Sequence, residues 1–198
     1  MNIIIVRHGE TVENAKHILM GHLPGTLSAK GRRQARKLAR ELMDEKIAAI
    51  YSSDLRRAVD PKSAKAIAKY HKVPIYYTKE LREQSYGIFQ GRPLGEFIDA
   101  QGRRKCFVPR GGESLFALRK RTGRFLIKLG KDRLMKGKTI LVSAHAGVAA
   151  SVLSLATDMK MREVMRLLKP RNTGTFVAKL NGSKFKIVKD NMYKPRNR

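Results

Sequence analysis

Two histidines and two arginines stand where short apolar runs end. Ile3-Ile4-Ile5-Val6 leads into Arg7-His8-Gly9-Glu10-Thr11, residues 47–51 lead into Ser53-Asp54-Leu55-Arg56-Arg57-Ala58, and residues 140–144 lead into His145. A neutral imidazole is a competent nucleophile, and neighbouring arginines lower its pKa and keep the attacking nitrogen unprotonated. Arg57, at the opening of a helix, can clamp two oxygens of a phosphate through its planar fork. Gly9 and the Ala146-Gly147 pair let backbone approach a ligand. Taken singly, each has a plainer account: a chance Arg-His-Gly string, a surface arginine, a core histidine. Together they describe a crevice that binds and attacks a phosphate.

The elements that would carry them alternate in type. Strands buried on both faces read as unbroken apolar runs, and in open α/β sheets ligands lie beyond the carboxyl ends of the strands. After the first strand a long loop runs through Gly25. A helix then opens at the N-cap Ser28 and keeps Ala35, Leu38, Ala39, Leu42 and Met43 on one face. Strands are expected near residues 47–52 and 73–77, with a helix between them ending near Tyr70. The segment 91–109 reads as loop with one short helix at 94–100. Beyond Gly111-Gly112-Glu113-Ser114, where Glu113 or Ser114 can cap, residues 115–129 repeat a helical face. Two further helices are expected at 147–155 and 162–168. Asn181-Gly182 joins two alternating strands in the pattern of a type I′ hairpin. This is an α/β chain with a mixed, mostly parallel sheet containing one antiparallel strand.

Length and composition narrow the classes. The 198 residues suit one domain, read as residues 1–190 followed by a basic tail at 191–198. A single cysteine, Cys106, allows no internal disulfide, no apolar stretch approaches the length of a membrane span, and no secretory leader pattern opens the chain. A cytoplasmic location without membrane partners is the expectation. No metal-ligand spacing appears among His, Cys and carboxylates, so neither metal nor cofactor is expected. The 43 Lys and Arg against 16 Asp and Glu give a net charge of +27. Such a field attracts anions, and nucleic acid is expected to bind only non-specifically, through phosphate contacts. Arg103, Arg104, Lys105 and Arg110 suggest a basic lip for a second anionic group on a small substrate. The sequence does not specify an oligomeric state.

Several strings taken together resemble a known family. They are Arg7-His8-Gly9-Glu10-Thr11 with Asn14 and Gly21, Leu27-Ser28 with Gly31 and Gln34-Ala35, Ser53 to Ala58, Leu81-Arg82-Glu83 with Tyr86-Gly87, Gly111 to Ser114, and Ser143 to Gly147. In order and spacing the chain is similar to the histidine phosphatase superfamily, phosphoglycerate-mutase-like branch. The resemblance implies a three-layer α/β/α fold and a phosphohistidine mechanism. His8 would attack phosphorus, Arg7, Arg57 and His145 would hold the phosphoryl oxygens, and Glu83 would serve as general acid and then base. Asn14 and the backbone around Ala146 would make secondary phosphate contacts. Glu83 pairing with Arg82 is the structural alternative.

Two departures stand out. Pro61 interrupts the helix after Arg57, where Asp60 as N-cap and Pro61 as first helical residue would restart it. His22-Leu23-Pro24-Gly25 replaces the family's aspartate-containing stretch, and His17 and His22 are read as solvent-exposed loop positions. The short segment between Glu83 and Gly111 favours hydrolysis of a small phosphomonoester over mutase chemistry. Phosphoglycerate mutase is the alternative, and a non-catalytic basic nucleic-acid-binding protein is a second one.

Overall fold

A central sheet separates two layers of helices, and each layer seals one face of it. The computed structural model describes residues 1–59, 63–102, 107–170, 172–190 and 193–195. In chain order the elements are β1 (Asn2–Arg7), α1 (Val12–Ala15), α2 (Ala29–Glu41), β2 (Ile47–Ser53), α3 (Arg56–Val59), α4 (Ala64–His71), β3 (Ile75–Thr78), α5 (Leu94–Gln101), α6 (Leu115–Gly130), β4 (Thr139–Ala144), α7 (Ala146–Thr157), α8 (Met161–Leu167), β5 (Leu168–Pro170), β6 (Thr175–Asn181), β7 (Lys184–Asp190) and β8 (Tyr193–Pro195).

The main sheet has the order β3-β2-β4-β1-β6-β7. β1, β2, β3 and β4 run parallel, β6 runs against β1, and β7 runs against β6. β6 is therefore the single reversed strand, as expected. Parallel central strands need apolar side chains on both faces, and Ile3, Ile4, Ile5, Val6, Ile140, Leu141 and Val142 are all buried. Alternate residues serve opposite layers: Ile3, Ile5, Ile140 and Val142 pack toward α6, α7 and α8, whereas Ile4, Val6 and Leu141 pack toward α2 and α4. α2 presents Ala35, Leu38 and Ala39 to the sheet at helical spacing. α7 is buried along Gly147 to Ser154 because its residues are small and apolar.

The N-caps fall where the sequence puts them. Ser28 Oγ accepts the Gly31 N–H at 2.9 Å, and Ser114 Oγ accepts the Ala117 N–H at 3.0 Å. α5 lies at the expected position. Tyr193–Pro195, within the segment read as a tail, pair with Leu168–Pro170.

Other details differ. β3 starts at Ile75 rather than at residue 73, with the Pro74 carbonyl accepting the Ile50 N–H just before it. The hairpin turn is Gly182-Ser183, with Asn181 still paired to Lys184. Gly182 has φ +59°, while neither Asn181 nor Ser183 has positive φ. Positive φ confined to the first central residue is the signature of a type II′ turn, not I′. Asp60 and Pro61 lie outside the described residues. The helix resumes at Ala64 behind Ser63, whose hydroxyl donates to the Arg57 carbonyl at 3.0 Å instead of capping.

Candidate active site

The carboxyl ends of β1, β2 and β4 converge, and each delivers one part of the site. β1 ends on Arg7 and is followed by His8, which is 4% exposed. The His8 Nδ1–H donates to the Gly9 carbonyl at 2.7 Å. Because a carbonyl only accepts, the proton is on Nδ1 and the lone pair is on Nε2. Arg57 Nε–H donates to that same Nε2 at 3.2 Å, which requires the same tautomer. Burial first, then Arg57 and Arg7, hold the His8 pKa well below the ordinary histidine value. His8 is thus a neutral base with Nε2 as its reactive nitrogen.

Arg57 lies at the start of α3, beyond β2, and is 1% exposed. Its fork does not stand open as the sequence reading has it. NH1 donates to the Leu23 carbonyl at 2.5 Å and NH2 to the Gly21 carbonyl at 2.8 Å, while its backbone N–H donates to Pro24. The first loop therefore wraps the guanidinium and aims its Nε at His8. Burial lowers the Arg57 pKa to about 10, opposed by Glu83, so the group remains cationic at neutral pH.

His145 caps β4 and forms the N-cap of α7 without a side-chain capping bond. Its ring meets that of His8 edge-on, with centroids 5.2 Å apart. Ser53 Oγ accepts the Leu55 N–H and lies 2.8 Å from His145 Nε2. When the hydroxyl donates to that nitrogen, the imidazole proton is on Nδ1. This Nδ1 is buried and has no hydrogen-bond partner among the described residues, so in that tautomer it is a donor available to an anion. Burial first, then Arg57, His8 and Arg7, push the His145 pKa well below the ordinary value.

Glu83 approaches from the loop after β3. Its Oε1 accepts the Gln84 N–H at 2.8 Å and the Gly147 N–H at 3.1 Å, and Oε2 lies 3.2 Å from the same Gly147 nitrogen. The first turn of α7 therefore fixes the carboxyl beside His145. A Cβ at Gly147 would collide with that carboxyl and come within 2.8 Å of Leu118, so a larger residue would push the carboxyl out of this position. Arg82 is not its partner: it makes a two-point ion pair with Asp54 at 2.7 and 2.6 Å. Among the described bonds, the Glu83 carboxyl is held by backbone N–H groups.

Asn14 has a local duty that the sequence reading missed. α1 occupies what reads as loop, and Asn14 Oδ1 accepts the Thr11 N–H while Thr11 Oγ1 accepts the Asn14 N–H, a capping box. Ala146 is the first residue of α7, next to His145. His17 is exposed, as expected, but His22 is half-buried. Its backbone N–H donates to Gln90 Oε1 at 2.8 Å and its Nε2–H to the Glu83 carbonyl at 2.9 Å. Tyr86, buried in an aromatic cluster with Phe97, has its pKa raised by burial first and then by Glu83. An open cavity of about 510 Å³ borders this loop, lined among others by His22, Lys79, Arg82, Ser85 and Ser114. Of the basic lip, Arg103, Arg104 and Lys105 lie outside the described residues, and Arg110 is exposed. No group of three potential metal ligands occurs among the described residues.

A sheet whose parallel strands deliver two histidines and two arginines to one buried point, with a carboxyl beside them, defines a class of phosphate-transfer centre. The chain matches the histidine phosphatase superfamily (branch 1) over residues 3–192 and belongs to that family, which makes it an enzyme of the phosphatase type. It is 36% identical over 196 residues to phosphoglycerate mutase-like protein 4 of Arabidopsis thaliana, covering 93% of this chain and 82% of that protein. It is 32% identical over 161 residues to a metal-independent phosphoserine phosphatase of the same plant, covering 76% of this chain and 66% of that one. The fold superimposes on mycobacterial glucosyl-3-phosphoglycerate phosphatase with a TM-score of 0.84 at 23% identity, covering 96% and 99% of the two chains. No helix among the described residues is long and apolar enough to cross a membrane.

Proposed function

We propose that the protein hydrolyses a small phosphomonoester through a phosphohistidine on Nε2 of His8. The observation that carries this reading is the pair of hydrogen bonds that assigns the imidazole proton to Nδ1 and the lone pair to Nε2. In the first half-reaction Nε2 attacks phosphorus, the P–O ester bond breaks, and the departing alkoxide takes a proton from the Glu83 carboxyl. In the second, Glu83 takes a proton from water, the oxygen bonds to phosphorus, and the P–Nε2 bond breaks to release inorganic phosphate. Arg7, Arg57 and the His145 Nδ1–H stabilise the charge on the transferring phosphoryl oxygens, and Ala146 and Asn14 are secondary contacts.

Hydrolysis is favoured over mutase chemistry because the segment after Glu83 is short. Its described residues carry one short 3₁₀ turn and α5 before Gly111, too little to sequester an intermediate from water. The remainder of the ester is assigned to the cavity beside His22 and Ser114, a reading supported by the His22 hydrogen bond to the Glu83 carbonyl. The test is rapid-quench mass spectrometry during turnover of p-nitrophenyl phosphate. A phosphoryl group on His8 that disappears in His8→Ala supports the reading. The label on another residue overturns it. Interconversion of phosphoglycerates without net phosphate release makes the enzyme a mutase.

A further inference from the structure

The α2/α4 layer carries an ordered array of charge that the catalytic centre does not use. Arg33, Arg36, Lys37 and Arg40 follow i, i+3, i+4 and i+7 on α2, and all four are exposed opposite the buried Ala35, Leu38 and Ala39. Lys65 and Lys69 of α4, and Lys72 just past its end, form a second exposed row directed away from the buried Ala64 and Ile67. The two helices share one apolar cluster on the same face of the sheet, so their basic ridges lie side by side. Packed helices sit about 8–10 Å apart, and cations three or four residues apart rise by about 4.5–6 Å.

Glu41 is the only carboxylate in either helix. It lies 3.6 Å from Lys37 with both side chains exposed, a kind of pair worth little in water. Two tyrosines complete the surface. Tyr70 of α4 is 50% exposed and Tyr77 of the edge strand β3 is 47% exposed. Tyr77 shares its side of the strand with Ile75, which packs into the α2/α4 cluster.

We propose that this layer docks single-stranded nucleic acid without sequence preference, the two ridges following the phosphates while Tyr70 and Tyr77 stack on bases. Cationic grooves flanked by aromatic faces are the general solution to that problem. An anionic membrane is a poorer match, because apart from Met43 the exposed large side chains of this layer are tyrosines. The opposite layer is basic without being organised in this way. Lys120, Arg124 and Lys128 of α6 share one exposed face, but the neighbouring α7 has no charged residue, so no second ridge lies beside them.

The experiment compares two fourfold charge reversals of equal net charge by anisotropy of a fluorescent oligothymidine. One replaces Arg33, Arg36, Lys37 and Arg40 by Glu, and the other does the same to Lys120, Arg124, Lys128 and Lys131. The α2 set is expected to lose at least about tenfold more affinity, and its slope of log K against log salt to fall by about 3. Tyr70→Ala with Tyr77→Ala should weaken oligothymidine at least about fivefold while leaving inorganic polyphosphate unchanged. Turnover of p-nitrophenyl phosphate reports folding in every variant, and Lys65→Glu with Lys69→Glu substitutes if the α2 set fails to fold. Equal losses from the two sets, an unchanged tyrosine variant, or tighter binding to phosphatidylserine vesicles than to oligothymidine would each overturn the proposal.

Discussion

Arg57 Nε donates to His8 Nε2 at 3.2 Å, so the cation rests on the very lone pair that attacks in the proposed mechanism. This contact keeps the imidazole neutral and oriented. The proposed attack requires Nε2 to be released, and an incoming phosphoryl oxygen would be a stronger acceptor for the same N–H. Leu23 and Gly21 hold the rest of the guanidinium, which makes Arg57 both part of the centre and the post around which the first loop is wound.

Arg57→Lys should therefore do more than weaken a charge. Lysine cannot donate to His8 and to two carbonyls at fixed angles, so kcat on p-nitrophenyl phosphate should fall by about 10²–10³-fold. Limited proteolysis should cut the segment 21–26 faster than in the parent. Parent-like proteolysis would show that the loop does not depend on the guanidinium.

Glu83→Gln separates the two half-reactions. p-Nitrophenolate leaves without a proton, whereas an alkyl alcohol needs one, so the loss should reach about 10²–10⁴-fold for an alkyl phosphate. With p-nitrophenyl phosphate the variant should show a burst of one product per site followed by slow turnover, because the phosphohistidine forms and waits for water to be activated. Stopped-flow absorbance reads the burst, and its absence would move the general acid and base elsewhere.

Stability should fall on acidification below neutrality. His8 and His145 have folded-state pKa values well below the ordinary 6.5, so between 6.5 and those lowered values the unfolded chain binds protons that the folded chain refuses. Unfolding is then favoured as pH drops, by up to about 1.4 kcal/mol per pH unit for each histidine. Thermal melts from pH 7 to 5 should show this decline, and His8→Gln with His145→Gln should flatten it.

The close approach of α2 to the His8 loop gives a stability test. A Cβ at Gly31 would run into the backbone of Glu10, and one at Gly9 into the backbone of Gly31. Gly31→Ala should cost about 1–3 kcal/mol in urea unfolding. Gly95→Ala, within α5 and with nothing within 4 Å of the new methyl, should instead gain about 0.5–1 kcal/mol. Equal effects at both positions would remove the steric argument.

The contrast between what the sequence disclosed and what it hid has a physical source. β1, β2 and β4 were legible because strands buried on both faces leave uninterrupted apolar runs, and Ser28 and Ser114 because capping is local chemistry. The positions of His8 and His145 follow from those strand ends. What Arg57 touches was not legible: its partners are backbone carbonyls 34 and 36 residues away, and a carbonyl has no residue type. His22 was misread for a related reason, since its burial depends on Gln90, 68 residues on. The capping box of Thr11 and Asn14 was readable in principle as a short polar repeat, but the resemblance had already given Asn14 another role. Gly182 was read one place out of register because Asn-Gly favours the turn centre, whereas pairing of Asn181 with Lys184 decides it.

The position of β1 governs how the molecule can be made. β1, which precedes the other strands of this sheet in the sequence, lies between β4 and β6, and Met1 is hydrogen-bonded to Leu180 on both its nitrogen and its carbonyl. Ile3 to Val6 therefore leave the ribosome long before either neighbour exists, and the middle of the sheet closes only when β6, more than 160 residues on, arrives. Such long-range pairing makes for slow folding and leaves a sticky nascent segment for chaperones to shield.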